Sequence, residues 1–162
     1  AKRQAKFDQI QVASNKELTK TAMLKQRELE GLVKEYQSII AIGDPEYIAV
    51  ALYEIGRMHD NLADMLFKAP GPERASQAEM ESYVSAIESK AVPLRNDALK
   101  YYEEAYQGAQ RAELLSDRVS VIYDRLSERN PEKYPEMREK AETPGHFAHR
   151  IGLVKEVEQL AH

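Results

Sequence analysis

The chain has 162 residues, enough for one domain with a buried core. Its 23 basic and 27 acidic side chains leave a net charge of −4, which argues against a dedicated nucleic-acid binder. There is no cysteine, so disulfides and thiolate chemistry are excluded, and no apolar run approaches the ~18 residues that would cross a bilayer.

Strand signals are nearly missing, and helix signals fill the chain. From Lys2 to Ile40 there is no proline and only Gly31, with apolar positions at Phe7, Ile10, Leu18, Ala22, Leu29, Leu32, Tyr36, Ile39 and Ile40. The spacing supports one helix of nearly forty residues, with a break expected at Ala13-Ser14-Asn15. Asp44 then reads as an N-cap and Pro45 as the first residue of a helix running to about Phe67. One stripe of that helix is Ile48, Ala51, Leu52, Ile55, His59, Leu62 and Leu66, and a second face carries Ala49, Tyr53, Gly56, Ala63 and Phe67. Two apolar faces predict a helix sandwiched between neighbours.

The segment KAPGPER (68–74) stops the helix, and the capping box Ser76-Gln77-Ala78-Glu79 starts another. Met80, Tyr83, Val84, Ile87 and Ala91 are predicted to face inward. Pro93 either kinks this helix or begins a new one, and Leu94, Ala98, Tyr102, Ala105 and Ala109 continue the stripe. Ser116 or Asp117 caps a helix to about Arg129, with Val119, Ile122, Tyr123 and Leu126 inward. After the loop at 142–146, residues 148–161 form a last amphipathic pattern through Ile151, Val154, Val157 and Leu160. The fold class is all-α, divided into a helical domain over 1–142 and a loop with a short C-terminal helix over 143–162.

Charge is uneven along the chain. Residues 1–43 carry about three excess positive charges and residues 44–116 about six excess negative. This is either an ordinary solvated surface or an acidic face that steers a basic partner.

Leu52-x2-Ile55-Gly56-x2-His59 is similar to the first-helix pattern of tetratricopeptide repeats, and Ala98-x3-Tyr102-x2-Ala105 resembles the second-helix pattern. Leu32-x3-Tyr36-x2-Ile39, followed by Asp44-Pro45, resembles a worn second helix with its closing proline. Gly56 and Ala98 stand about forty residues apart, where one standard repeat would place them about a dozen apart, so one repeat is elongated or interrupted by 68–92. More specifically, residues 35–110 resemble the closing region of long tetratricopeptide proteins of myxobacteria and related predatory bacteria. There a Gly-Asp-Pro-Glu seam, a long Ala-Leu-x2-Ile-Gly helix, an Ala-Pro break and a Lys-Ala-x-Pro-Leu helix follow in this order. Some members of that group belong to envelope machinery of gliding motility. The resemblance implies antiparallel helix pairs stacked as an array, a non-catalytic scaffold or adaptor role, and a periplasmic or envelope location in preference to the cytoplasm. The alternative is a structural helical bundle that self-associates through its long first helix.

Signals for catalysis are weak. His146 and His149 form H-x-x-H without a defined third ligand, and His59 lies on an apolar stripe, where a hydrogen-bonded core histidine is expected. There is no phosphate-binding glycine loop, no G-x-S-x-G and no H-E-x-x-H. The reading is therefore not an enzyme, with no cofactor and no metal. Nine tyrosines are too many for the core stripes, and Tyr101 and Tyr106 fall off the stripe of Ala98, Tyr102 and Ala105. Tyr53, Arg57, Tyr101 and Tyr106 are the candidate partner contacts, because aromatic and arginine side chains dominate interface energies. The expected partner is another protein, presented as a helix or extended peptide, with homo-oligomerisation as the second possibility.

Overall fold

The structure, a computed structural model, describes residues 2–114 and 117–136. All regular structure among them is helical: α1 (Lys2–Gln9), a single 3-10 turn (Asn15–Glu17), α2 (Leu18–Ile40), α3 (Pro45–Phe67), α4 (Gln77–Arg111) and α5 (Asp117–Arg129). The predicted terminal helix over 148–161 lies outside the described residues.

The helical pattern over 2–40 divides into two helices, as expected at Ala13-Ser14-Asn15, but the break is wider than those three residues. Residues 10–14 leave the helix altogether, which lets α1 fold back so that Phe7 is fully buried. An eight-residue helix is too short to hold itself together in water, so α1 depends on this packing. At the next boundary the sequence works as read. Gly43 adopts φ 86°, a left-handed conformation that costs glycine little, and ends α2. The Asp44 carboxylate then accepts from the N–H groups of Glu46 (2.9 Å) and Tyr47 (3.2 Å), with Pro45 behind it in the first turn.

Helix α3 lies between α2 and α4 and packs most extensively on α4. The α3–α4 pair is antiparallel: Tyr53 and Gly56 meet Tyr102, while Asp64 further along meets Arg95. Helix α3 serves two cores, divided along its length and not by the two predicted faces: Ala63 of the second face joins the first core, and Leu52 of the first stripe packs on the second. Ile55, Met58, Leu62 and Leu66 join Phe7, Leu29, Leu32, Ile87 and Ala91 in one. Leu52 and Tyr53 pack against the other, formed by Ala98, Tyr102, Ala105, Ile122, Leu126 and Tyr134. The crossing is tight at Gly56, where an added Cβ would lie 2.8 Å from Tyr102 Cε1 and 3.1 Å from the Ala98 carbonyl oxygen.

Helix α4 has 35 residues against 23 in α3, roughly 18 Å more length at 1.5 Å per residue. The capping box holds its start, with Ser76 Oγ accepting from the Glu79 N–H and the Glu79 carboxylate accepting from the Ser76 N–H. Pro93 sits within the continuous helix, so it does not begin a new one. The first turns overhang α3, which corrects the predicted inward face: Met80 and Val84 are exposed, and burial begins at Ile87 and Ala91. Phe67, placed on α3's second apolar face by the sequence, is also exposed and lies under the Arg95 guanidinium, 4.8 Å from its ring centroid.

One core position in α2 holds a cation. Lys25 is fully buried, its Nζ donates to the Ile10 carbonyl (2.8 Å), and it lies 4.8 Å from the Phe7 ring centroid. It therefore clasps the segment joining α1 to α2. Burial lowers the Lys25 ammonium from the usual 10.5 to about 8, with Asp8 opposing the shift and Arg57 adding to it.

Two outcomes follow. In chemical denaturation, Gly56→Leu should destabilise by about 1–3 kcal/mol through overpacking. Gly108→Ala, with nothing within 4 Å of the new Cβ, should stabilise by up to about 1 kcal/mol through helix propensity. Equal effects would remove the close crossing from the account. For Lys25, both folded and unfolded chains hold the proton below pH 8. Between pH 8 and 10.5 only the unfolded chain does, so stability rises with pH across that window. Relative to Lys25→Met, the unaltered chain should gain about 2 kcal/mol between pH 8 and 9.5, and a flat difference would contradict the assignment.

Candidate interaction groove

Helix α5 packs on α4, and the space it leaves beside the first half of α3 is an open groove of about 290 Å³. Ala49, Val50 and Tyr53 form the α3 wall, and Leu114, Val119, Val121 and Ile122 the opposite one. Glu46, Glu54 and Arg118 supply the charges at its edges. Val121 is 44% exposed, high for an apolar side chain in a helix wall.

The position of α5 rests on a buried carboxylate. Asp60, 5% exposed, lies on α3 among apolar neighbours. Its Oδ2 accepts from the Tyr102 hydroxyl (3.2 Å) and from Arg129 Nε (2.9 Å) at the last turn of α5, and Arg129 Nη2 stands 2.8 Å away. Asp60 Oδ1 faces Arg95 Nε of α4 at 3.8 Å. Arg95 also pairs with Asp64. Three helices thus meet at one carboxylate. Burial, and then the nearby Asp60 charge, push the Tyr102 phenol well above its ordinary value, so it stays a neutral donor. Beyond α5 the chain turns back: Tyr134 packs edge-on against Tyr106 and Tyr123, and the Tyr123 hydroxyl donates to the Pro135 carbonyl (2.9 Å).

The four candidate contact residues do not share one surface. Tyr53 lines the groove, with its ring 5.7 Å from that of Tyr102. Arg57, one turn further on α3, is occupied within the chain: it donates to both Asp8 oxygens (3.1 and 3.2 Å) and to Glu54 (2.8 Å), tying α1 to α3. Burial opposes its charge, but these two carboxylates more than offset that and raise its pKa. Tyr101 is half-buried against His59, at 5.2 Å between ring centroids. Tyr106 is half-buried against Tyr123, at 5.3 Å. His59 Nδ1 lies 2.8 Å from the Ile55 carbonyl and donates to it, the satisfied arrangement that the sequence suggested.

Sequence reasoning missed Val50, Val121 and Arg118 on the groove, and it missed Asp60. Asp60 had a signal. Ala49, Tyr53, Gly56, Ala63 and Phe67 leave a gap of seven between 56 and 63, and position 60 completes the alternation of fours and threes. Among the described residues, no group of three or more His, Asp or Glu could hold a metal ion, and no helix is long and apolar enough to cross a membrane. His146 and His149 lie outside them.

Asp60→Ala would take away the carboxylate that Arg129 donates to, while Arg95 keeps Asp64. It should cost on the order of 3 kcal/mol in denaturant and make α5 the first site of proteolysis. Arg3→Ala, which removes exposed pairs with Glu28 and Glu35, should cost far less, because solvent screens such pairs. Comparable losses would show that the buried carboxylate does not organise α5.

Comparison of the chain with protein-family models, with curated proteins and with solved structures finds no match in any of the three.

Proposed function

We propose that this chain is a non-catalytic protein-interaction module of tetratricopeptide type, and that its α3/α5 groove receives a helix or extended peptide of another protein. The observation that carries the proposal is the groove itself: an open cleft with apolar walls and charged edges, held in shape by a buried ion pair. The crossing at Gly56 adds support. The two half-patterns that resemble repeat helices, about forty residues apart in sequence, meet there as Gly56 against Ala98 and Tyr102. The intervening residues extend α4 and its linker, which fits an elongated repeat. On this reading α3 and α5 are successive first helices, so the groove lies where such an array presents its partner surface. A place in a bacterial envelope or motility assembly rests on the sequence resemblance alone.

Affinity capture from lysate, with bound proteins identified by mass spectrometry, tests the proposal. Val121→Asp and Val50→Asp should each lose a protein that the unaltered chain retains, while thermal stability changes by only a few degrees. Val84→Asp, on the exposed overhang of α4, should retain it. Identical captured sets for all four proteins would overturn the reading.

A further inference from the structure

Helix α1 is held by the side chains that it presents to α2 and α3. It runs antiparallel to α2: Arg3 pairs with Glu28 and Glu35, Gln4 Oε1 accepts from the Tyr36 hydroxyl (2.9 Å), and Phe7 lies under Lys25. Asp8 accepts from Arg57 of α3, and Phe7 is fully buried in the first core. The seat of α1 is therefore specific. It takes an aromatic ring, an acid for Arg57 and a carbonyl for the buried Lys25 ammonium, here that of Ile10. A buried cation without such a partner is costly.

The connection from this seat to α2 is held far less. Among the described residues, the segment 11–17 makes one side-chain hydrogen bond beyond itself and α1, from Asn15 Nδ2 to the Pro70 carbonyl (3.1 Å), and Val12 packs partly on the core. Its sequence, Gln-Val-Ala-Ser-Asn-Lys-Glu, has no proline and no glycine to forbid a helix. Phe7 and Leu18 are eleven residues apart, close to three helical turns, so one helix over 2–40 would keep both on the same side. Two such rods laid side by side in opposite directions reproduce the α1–α2 contacts between chains. Arg3 with Glu28, Arg3 with Glu35, Gln4 with Tyr36 and Phe7 with Lys25 are all centred between positions 15 and 20, and a twofold axis would pass there.

We propose that α1 of one copy of this chain takes the α1 seat of a second copy, and reciprocally, as the segment 11–17 opens from a turn into helix. The exchanged contacts are those already described, so what changes is the turn and the dependence on chain concentration. This concerns the seat on α2 and α3 and does not rest on the adaptor reading of the α3/α5 groove.

Charge reversal at the Asp8–Arg57 pair tests the exchange. Asp8→Arg alone sets two cations together in its own seat, and Arg57→Asp alone sets two acids together. When the two variants are refolded as a mixture, reciprocal exchange places the new arginine of one against the new aspartate of the other. It also places the native Asp8 of the second against the native Arg57 of the first. Native mass spectrometry, with one variant isotope-labelled, should show about tenfold more mixed dimer than dimer of either variant alone. Equal amounts, or monomers only, would overturn the proposal. A second measurement leaves the charges alone. Asn15→Pro suits the present turn, because Ser14 before it is extended (φ −149°, ψ 158°) and position 15 opens the 3-10 helix. The same proline disrupts a rod that runs through it. By light scattering after refolding at millimolar concentration, the unaltered chain should contain dimer, and Asn15→Pro about tenfold less. A wholly monomeric unaltered chain, or equal dimer in both, would also overturn the proposal.

Discussion

The Tyr102 ring lies against bare backbone at Gly56, and much of the molecule is arranged around that contact. Only a residue without a Cβ lets α4 come so near α3. The near approach buries the Tyr102 hydroxyl where the Asp60 carboxylate can accept from it. That carboxylate, one turn along α3 from Gly56, then needs further donors, because a buried charge without partners is costly. Arg129 of α5 supplies one, and Arg95 of α4 adds its charge 3.8 Å from the other oxygen, Oδ1, without a hydrogen bond. One small residue thus sets an interhelical distance, the distance sets a polar junction, and the junction fixes where α5 sits.

The groove is the geometric remainder of this arrangement. Helix α5 is fastened to α4 through Ile122, Leu126 and the tyrosine group, and to α3 chiefly at the Asp60 end. Nearer its own start it stands off from α3, and the apolar side chains of both helices line the space between. The charged residues around α1 do a different task. Arg57, Glu54 and Asp8 close the chain onto itself, so Arg57 is better understood as a fastening than as a reaching contact.

Most of the helical organisation was legible before any coordinates. The Gly43-Asp44-Pro45 boundary, the Ser76 capping box and the Ala98-Tyr102-Ala105 stripe each depend on neighbours a few residues away, and local chemistry determines them. What escaped was the interior charge. Leu18, Ala22, Leu29, Leu32 and Tyr36 omit position 25 just as the α3 face omits position 60. A stripe read by hydrophobicity skips Lys25 and Asp60 because their burial is decided by partners elsewhere in the chain: the Ile10 carbonyl for one, Arg129 and Tyr102 for the other. The groove escaped for the same reason. Tyr53 was singled out as an aromatic off the main stripe, but Val50 and Val121 gain meaning only when α5 is set beside α3.

The length of α4 has a consequence for how the molecule yields. One unbroken rod supplies Ile87 and Ala91 to the first core and Ala98, Tyr102 and Ala105 to the second. Neither core can melt alone without leaving half of that rod unsupported, and α3 shares the same double duty on the facing side. The two cores are therefore mechanically in series and lose their structure as one cooperative unit, with α1 as the piece able to detach first.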